Sequence, residues 1–279
     1  MIVPAYAKLN LTLDVHGLRE DGYHEIESVM QAISLHDLLW VEASDCAAIE
    51  IWGPAITSEN LVLRAARELE AHLSRRLPLR IRLSKRIPMG AGLGGGSSDA
   101  AAFLRAASAV YGLSLDHDEL CEIAARVGQD VPFFLRGGTA YATGRGSRVE
   151  PLPPLSSRWT FLVFFPEVEV STRDVYEASD GSRPSGSRSP ALVQAVRAGR
   201  LDPGLFGNDL EDVTRRLFPP VEHAVQRAGQ TLEKVHMTGT GSAFFAAFEH
   251  RSEAEAALRA IKDLGLKTWL CHPVPPWPA

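Results

Sequence analysis

The chain has 279 residues, 45% hydrophobic and 23% charged, enough apolar material for two globular domains around separate cores. Its 29 basic and 34 acidic residues leave a net charge of −5, which provides no basic excess for a nucleic-acid-binding surface. No apolar run is long enough for a bilayer, the first residues lack a signal-peptide pattern, and Cys46, Cys121 and Cys271 form no CxxC pair, so a cytoplasmic setting without a metal site is expected.

Residues 5–15 alternate strictly and read as one half-buried strand, with Ala7, Leu9, Leu11, Leu13 and Val15 inward and Tyr6, Lys8, Asn10 and Thr12 on the other face. A turn at residues 20–22 leads into strand-like sequence as far as Val41. Leu61, Ala65, Leu69 and Leu73 recur at helical spacing, and residues 79–87 alternate again, apolar against arginine and serine. A glycine-rich loop over 90–96 precedes an alanine-rich helix over 97–111 with serines available to cap it. A second helix over 118–127 stops at Gly128.

Pro151, Pro153 and Pro154 mark a boundary between an N-terminal domain, 1–155, and a C-terminal domain, 156–279. Beyond it lie an apolar strand over 159–165 and a Ser-, Gly-, Arg- and Pro-rich loop over 181–190. Helices over 190–198 and 209–228 follow, then a strand–loop–strand over 235–248 centred on Gly239-Thr240-Gly241, a helix over 253–264 and a strand over 268–271. The proline-rich end reads as a tail. Strands and helices mix irregularly, which gives an α+β class.

Gly90-Ala91-Gly92-Leu93-Gly94-Gly95-Gly96-Ser97-Ser98 lies between a strand and a helix. Glycines let backbone N–H groups surround an anion, and the following helix directs its positive end at the same place. Gly90, Gly92 and Gly95 satisfy GxGxxG, but a dinucleotide fold needs a buried parallel strand first, and residues 79–87 alternate with polar residues instead. Asp116, at a tempting distance downstream, reads as a helix cap. A P-loop needs Lys before its Ser or Thr, and here Ser97-Ser98 follow the glycines directly.

Three motifs in order resemble the GHMP kinases, the superfamily of galactokinase and of homoserine, mevalonate and phosphomevalonate kinases. They are Ala7-Lys8-Leu9-Asn10-Leu11, the loop from Pro88 to Ser98, and Thr238-Gly239-Thr240-Gly241-Ser242. The resemblance implies a two-domain fold, with a ribosomal protein S5 domain 2-like N-terminal domain and a ferredoxin-like C-terminal domain. It also implies transfer of the ATP γ-phosphoryl group to an alcohol with Mg²⁺. Arg19-x-Asp21-Gly22-Tyr23-His24 and Asp130-Val131-Pro132-Phe133-Phe134 narrow the likeness to the branch whose small-molecule substrate carries a cytidine diphosphate group and serves non-mevalonate isoprenoid synthesis. Gln129, where that branch usually has Ala, and Ala243, where Cys or another small residue is common, remove no functional group.

Taken alone, Lys8 reads as a solvated strand lysine and Asp130 as a loop or cap aspartate. The resemblance makes Asp130 the general base and Lys8 its partner, keeping Asp130 ionised, assisting deprotonation, or stabilising charge on the transferring group. It places ATP at Pro88, Met89, Gly90, Ala91, Gly92, Leu93, Gly94, Gly95, Gly96, Ser97 and Ser98, with Asn60, Leu61 and Lys85 around the adenine and Ser98 near the Mg²⁺. It places the alcohol substrate at Asn10, Tyr23, His24, Thr172 and Tyr176, the aromatic residues on either face of the cytosine. Homoserine or mevalonate kinase activity, an inactive binding protein of the same fold, and a dinucleotide-dependent oxidoreductase are the competing readings. The Arg19–His24 element opposes the first, Lys8 with Asp130 the second, and the alternating strand the third.

Overall fold

The computed structural model describes residues 1–52, 60–179 and 188–277. The first alternating segment forms two strands, β1 (Ile2–Asn10) and β2 (Thr12–Leu18), rather than one. The break falls at Leu11, whose N–H bonds to Val29 and whose carbonyl accepts from Gly207, so the chain changes partners there. The spine is β3 (His24–Ala43), which is long enough to pair antiparallel with β1, β2, β5 (Leu79–Ser84) and β6 (Thr139–Gly144) along its length. The strand β4 (Ala48–Trp52) joins β5 in parallel, and β7 (Arg148–Pro151) joins β6. The helices α1 to α4 (Leu61–Leu73, Gly95–Tyr111, His117–Val127, Val131–Arg136) pack on this sheet.

Alternation decides burial in β5, where Leu79, Ile81 and Leu83 are buried and the residues between them are half-buried. Asp116 caps α3 through a reciprocal capping box with Glu119, as its position suggested. At α2 the expected serine cap is absent: the cap is Gly94, in a left-handed conformation with no side chain to offer.

The second sheet is wholly antiparallel, in the order β10 (His236–Met237), β11 (Phe244–Phe248), β8 (Thr160–Phe165), β12 (Lys267–Cys271). Of α5 to α9 (Thr172–Ser179, Arg188–Arg197, Glu211–Leu217, Pro219–Gly229, Arg251–Ile261), α6 packs on β2 and β3 and the others accompany the second sheet. The helix expected over 209–228 is two helices, because Pro219 cannot continue α7. Of the loop expected over 181–190, residues 181–187 lie outside the described residues, and Arg188 to Pro190 begin α6.

The strand β8 is apolar from Phe161 to Phe165 because both its faces are covered. Phe161, Val163 and Phe165 meet Ala7, Leu9 and Leu11, while Leu162 and Phe164 meet the helices behind. The two sheets therefore share this cluster, in addition to a core of the first sheet with α1 to α4 and another behind the second sheet. The expected boundary at 155/156 falls between β7 and β8, but the chain crosses back twice. The strand β9 (Gly207–Asn208) pairs in parallel with β2, and residues 272–277 are packed against β3 and α4 instead of forming a free tail.

Candidate active site

The polar face of β1 is the first surprise. Lys8 and Asn10 are 3% and 5% exposed, not solvated as a strand lysine and its neighbour would ordinarily be. What covers them is a junction of the two glycine loops. Lys8 Nζ donates to Gly92 O at 2.7 Å and also to Asn10 Oδ1. Asn10 Oδ1 accepts from Gly239 N at 2.9 Å, and Asn10 Nδ2 donates to Ser28 Oγ at 2.7 Å. Thr238 Oγ1 accepts from Asn10 N at 3.0 Å and reaches Gly92 O at 3.3 Å. The loops touch so closely that a methyl on Gly92 would lie 2.1 Å from Thr238 O, and one on Gly239 would lie 2.9 Å from Gly92 O. Both glycines have positive φ. Burial pulls the Lys8 ammonium below its ordinary pKa, and the negative charge of Asp130 opposes that pull.

The N-terminus of α2 opens beside this junction. Gly94 has φ +70°, and its Cα faces the Phe134 ring and the Lys8 stem so closely that no side chain fits. Because no side chain caps α2, its first N–H groups have no side-chain acceptor, the arrangement that seats a phosphate. Leu61 touches the same turn, 3.6 Å from where a Gly96 methyl would be. Asn60 caps α1 through Oδ1 to Val62 N at 2.8 Å, and its buried Nδ2 has no partner among the described residues. Ser97 is half-buried, whereas Ser98 is 2% exposed.

Lys85 departs from the solvated strand end that its sequence context suggests. Its amine is buried between Asp37 and Asp99, 2.6 Å from Asp99 Oδ2, directly beneath Gly95. Asp37 also accepts from Arg86 N and, at 2.8 Å, from Ile87 N, which fixes the entry to the glycine loop. Burial pushes the Asp99 carboxyl up to about 8, while the two carboxylates raise the Lys85 pKa against the pull of its own burial.

Asp130 is half-buried at the N-cap position of α4, with Pro132 stiffening the first turn and no side-chain capping bond. Its carboxylate is therefore not engaged by its own helix. The charge reaches Lys8 on one side and Tyr176 on the other, whose phenol is raised first by burial and then by Asp130. Tyr176 lies on α5 with its ring 5.1 Å from the His24 ring, tilted by 35°. Thr172, at the start of α5, shares a 3.1 Å hydrogen bond with Thr240 of the second glycine loop. Tyr23 is 50% exposed, and the Arg145 guanidinium lies 4.8 Å from its ring centroid. Arg145 also meets Asp21 at 3.7 Å. Next to it, a methyl on Gly146 would come within 3.8 Å of Asp130 Oδ1, so the β6–β7 turn runs from the carboxylate to Tyr23.

The chain matches the family model of the GHMP kinases N terminal domain over residues 60–138 and that of the GHMP kinases C terminal over residues 191–266. A 4-diphosphocytidyl-2-C-methyl-D-erythritol kinase of Salinispora arenicola is 42% identical over 239 residues, covering 80% of this chain and 75% of the relative. This chain belongs to the 4-diphosphocytidyl-2-C-methyl-D-erythritol kinase family. The Listeria innocua 4-diphosphocytidyl-2-C-methyl-D-erythritol kinase is 34% identical over 279 residues, 97% of this chain and 95% of the relative. A crystal structure of a 4-(cytidine 5'-diphospho)-2C-methyl-D-erythritol kinase is similar with a TM-score of 0.81 and 38% identity, covering 98% of this chain and 99% of that one. A homoserine kinase from Cytophaga hutchinsonii, at 16% identity and a TM-score of 0.70, shares the fold.

Members of the 4-diphosphocytidyl-2-C-methyl-D-erythritol kinase family are kinases, and this chain is an ATP-dependent small-molecule kinase with the α+β GHMP fold. The structure brings Lys8, Asn10, the first glycine loop, Asp130, Thr172, His24 and Tyr176 to one region. Four further residues take up places that the sequence alone did not assign them. Thr238 and Gly239 were part of a recognised motif, but only folding laid them over Lys8. Asp99 was hidden in an alanine-rich helix, and Arg145 had no sequence signal beyond two flanking glycines. A separate cavity of about 520 Å³, lined by Phe206, Leu232, His236, Phe248 and Ala257 among others, shares no residue with this site. Among the described residues no helix is long and apolar enough to cross a membrane.

Proposed function

We propose that this chain transfers the γ-phosphoryl group of ATP to the 2-hydroxyl of 4-diphosphocytidyl-2-C-methyl-D-erythritol, giving the 2-phosphate and ADP in the methylerythritol phosphate route to isopentenyl diphosphate. The observation that carries this reading is the meeting of Lys8 with both glycine loops beside Asp130. Phosphoryl transfer needs the phosphates held, their charge neutralised and the hydroxyl aligned in line. The loop from Pro88 to Ser98 and the N–H groups of α2 hold the phosphates, with the adenine toward Asn60 and Leu61, where Asn60 Nδ2 is a donor without an acceptor among the described residues. Lys85 supports this loop from below through Asp37 and Asp99.

Asp130 takes the proton of the hydroxyl as its oxygen attacks the γ-phosphorus and the bond to ADP breaks. Lys8 has three N–H groups, of which two go to Asn10 and Gly92, so the third is available to Asp130 or to the transferring oxygens. Among the described residues no cluster of three His, Cys, Asp or Glu forms a metal cage. A Mg²⁺ would arrive on the nucleotide with most of its ligands from phosphate and water, and Ser98 would lie nearest to it on the protein side. When bound, it neutralises phosphate charge. Tyr23, His24 and Tyr176 hold the cytidine end. Tyr23 and Tyr176 take the two faces of the cytosine, with the His24 ring beside Tyr176 and the Arg145 guanidinium steadying the Tyr23 ring. Residues 1–155 supply the nucleotide side, and residues 156–279 the second glycine loop and α5. The site is expected to act in the cytoplasm.

Release of ADP with and without 4-diphosphocytidyl-2-C-methyl-D-erythritol, set against homoserine and mevalonate, tests the substrate. Asp130→Asn is expected to lower kcat by about 10²-fold or more while ATP affinity holds. Turnover with mevalonate but not the cytidine substrate, or near-normal kcat in the folded variant, would refute the reading.

A further inference from the structure

The C-terminal segment and the short helix α4 form a unit that the sequence does not announce. After β12 the chain turns back along β3. Ser34 N donates to His272 O at 3.0 Å, Val274 N to Ala32 O at 2.9 Å, and Gln31 Nε2 to Val274 O at 3.3 Å. Pro276 then pairs with Gly137, and Trp277 N donates to Arg136 O at 2.7 Å. Gly138 is packed so tightly under Pro276 that a methyl there would lie 2.9 Å away.

The helix α4 has six residues, and its last carbonyls lack partners within the helix. They are satisfied from outside. Arg105 of α2 donates through one Nη1 to Phe134 O and, at 3.2 Å, to Leu135 O, while Trp277 takes the next carbonyl. The Trp277 ring lies 4.3 Å from the Arg105 guanidinium carbon and 5.7 Å from the Tyr6 ring, so the two capping groups hold each other. At the other end of α4 is Asp130, with no capping bond of its own. Between them the Phe134 ring lies against Gly94. A helix of this length is roughly 9 Å long, so a tilt released at its C-terminus is carried to Asp130.

We propose that Arg105 and Trp277 are positioning residues for Asp130: by capping the C-terminus of α4 together, they set the direction in which the carboxylate presents itself to the substrate hydroxyl. This inference rests on the reading of Asp130 as general base. It assigns the proline-rich end a part in turnover through a residue far from it in sequence.

The test is steady-state kinetics on Trp277→Ala, Trp277→Phe and Arg105→Lys, alone and combined with Asp130→Asn, at a temperature well below unfolding. Trp277→Ala is expected to lower kcat about tenfold or more, with KM for ATP and for the alcohol within about twofold, because a small misplacement of a reacting group acts on the chemical step. Trp277→Phe, which keeps a ring over Arg105, is expected to restore most of kcat. In the Asp130→Asn background, Trp277→Ala is expected to add nothing, since groups acting through one carboxylate are non-additive. Arg105→Lys keeps the charge but loses the planar guanidinium that lies over the Trp277 ring, and gives the same pattern if Trp277→Ala does not fold. A folded Trp277→Ala or Arg105→Lys enzyme with unchanged kcat, or a loss that persists fully in the Asp130→Asn background, overturns the proposal. Unchanged kcat in Asp130→Asn alone would instead refute the base assignment, and the two failures are distinguishable.

Discussion

Gly92→Ala probes the junction on which the site depends. Two strains act together in this variant. The backbone of Gly92 has φ +74°, and a non-glycine residue in this region costs about 1–2 kcal/mol. The new methyl would also lie 2.1 Å from Thr238 O, 3.0 Å from Thr238 C and 3.1 Å from Gly241 N, all backbone atoms without a rotamer to yield. To restore ordinary separations the loops must part by about 1 Å, and overpacking of this kind costs about 1–3 kcal/mol. The total is about 2–5 kcal/mol, or roughly 3–9 °C in Tm for a chain of this size. Gly112→Ala is the control. Its φ is +58° with nothing within 4 Å, so it carries the backbone strain without the collision. Thermal unfolding of both variants isolates the contact. ADP release then reads its consequence, because parting the loops stretches the 2.7 Å bond from Lys8 to Gly92 beyond hydrogen-bond range. A fall in kcat of about 10²-fold is expected from a displacement of this size. Should Gly92→Ala melt with Gly112→Ala and retain turnover, the loops would not be the mutual stop described here.

Tyr23→Ala is expected to raise KM for the cytidine substrate by the loss of one base stack, about 1–3 kcal/mol, and to leave KM for ATP unchanged. A rise in KM for ATP alone would assign the ring to the wrong ligand. Asp99→Asn tests the buried triad by pH. The folded Asp99 carboxyl titrates near 8, above its value in the unfolded chain, so its contribution is fully present below about pH 4 and is lost as pH rises through about 8. Lys85 is raised and titrates above that window. Denaturant unfolding at pH 5 and pH 8 is expected to show a larger loss for the wild type than for Asp99→Asn, and equal losses would remove Asp99 from the account.

Local sequence carried the elements whose side chains and backbone decide their own state. The alternation in β5, the helical spacing of α1 and the helix cap at Asp116 depend on neighbours in the chain, and they are legible for that reason. Family resemblance supplied Lys8 and Asp130 as candidates that pattern alone would have left as solvated and capping residues. Tertiary structure decided which faces are dry. Alternation shows that Lys8 and Asn10 oppose Leu9, but not that a loop more than two hundred residues away covers them. Lys85 was legible as a strand end, and its burial between Asp37 and Asp99 was not, because the cost of burying a charge is met by partners from two other elements. The proline-rich end looked like a tail because proline lacks a backbone donor. Its role is instead carried by the donors that remain, Val274 N and Trp277 N, and by a ring over Arg105, contacts that exist only once β3, α2 and α4 are in place.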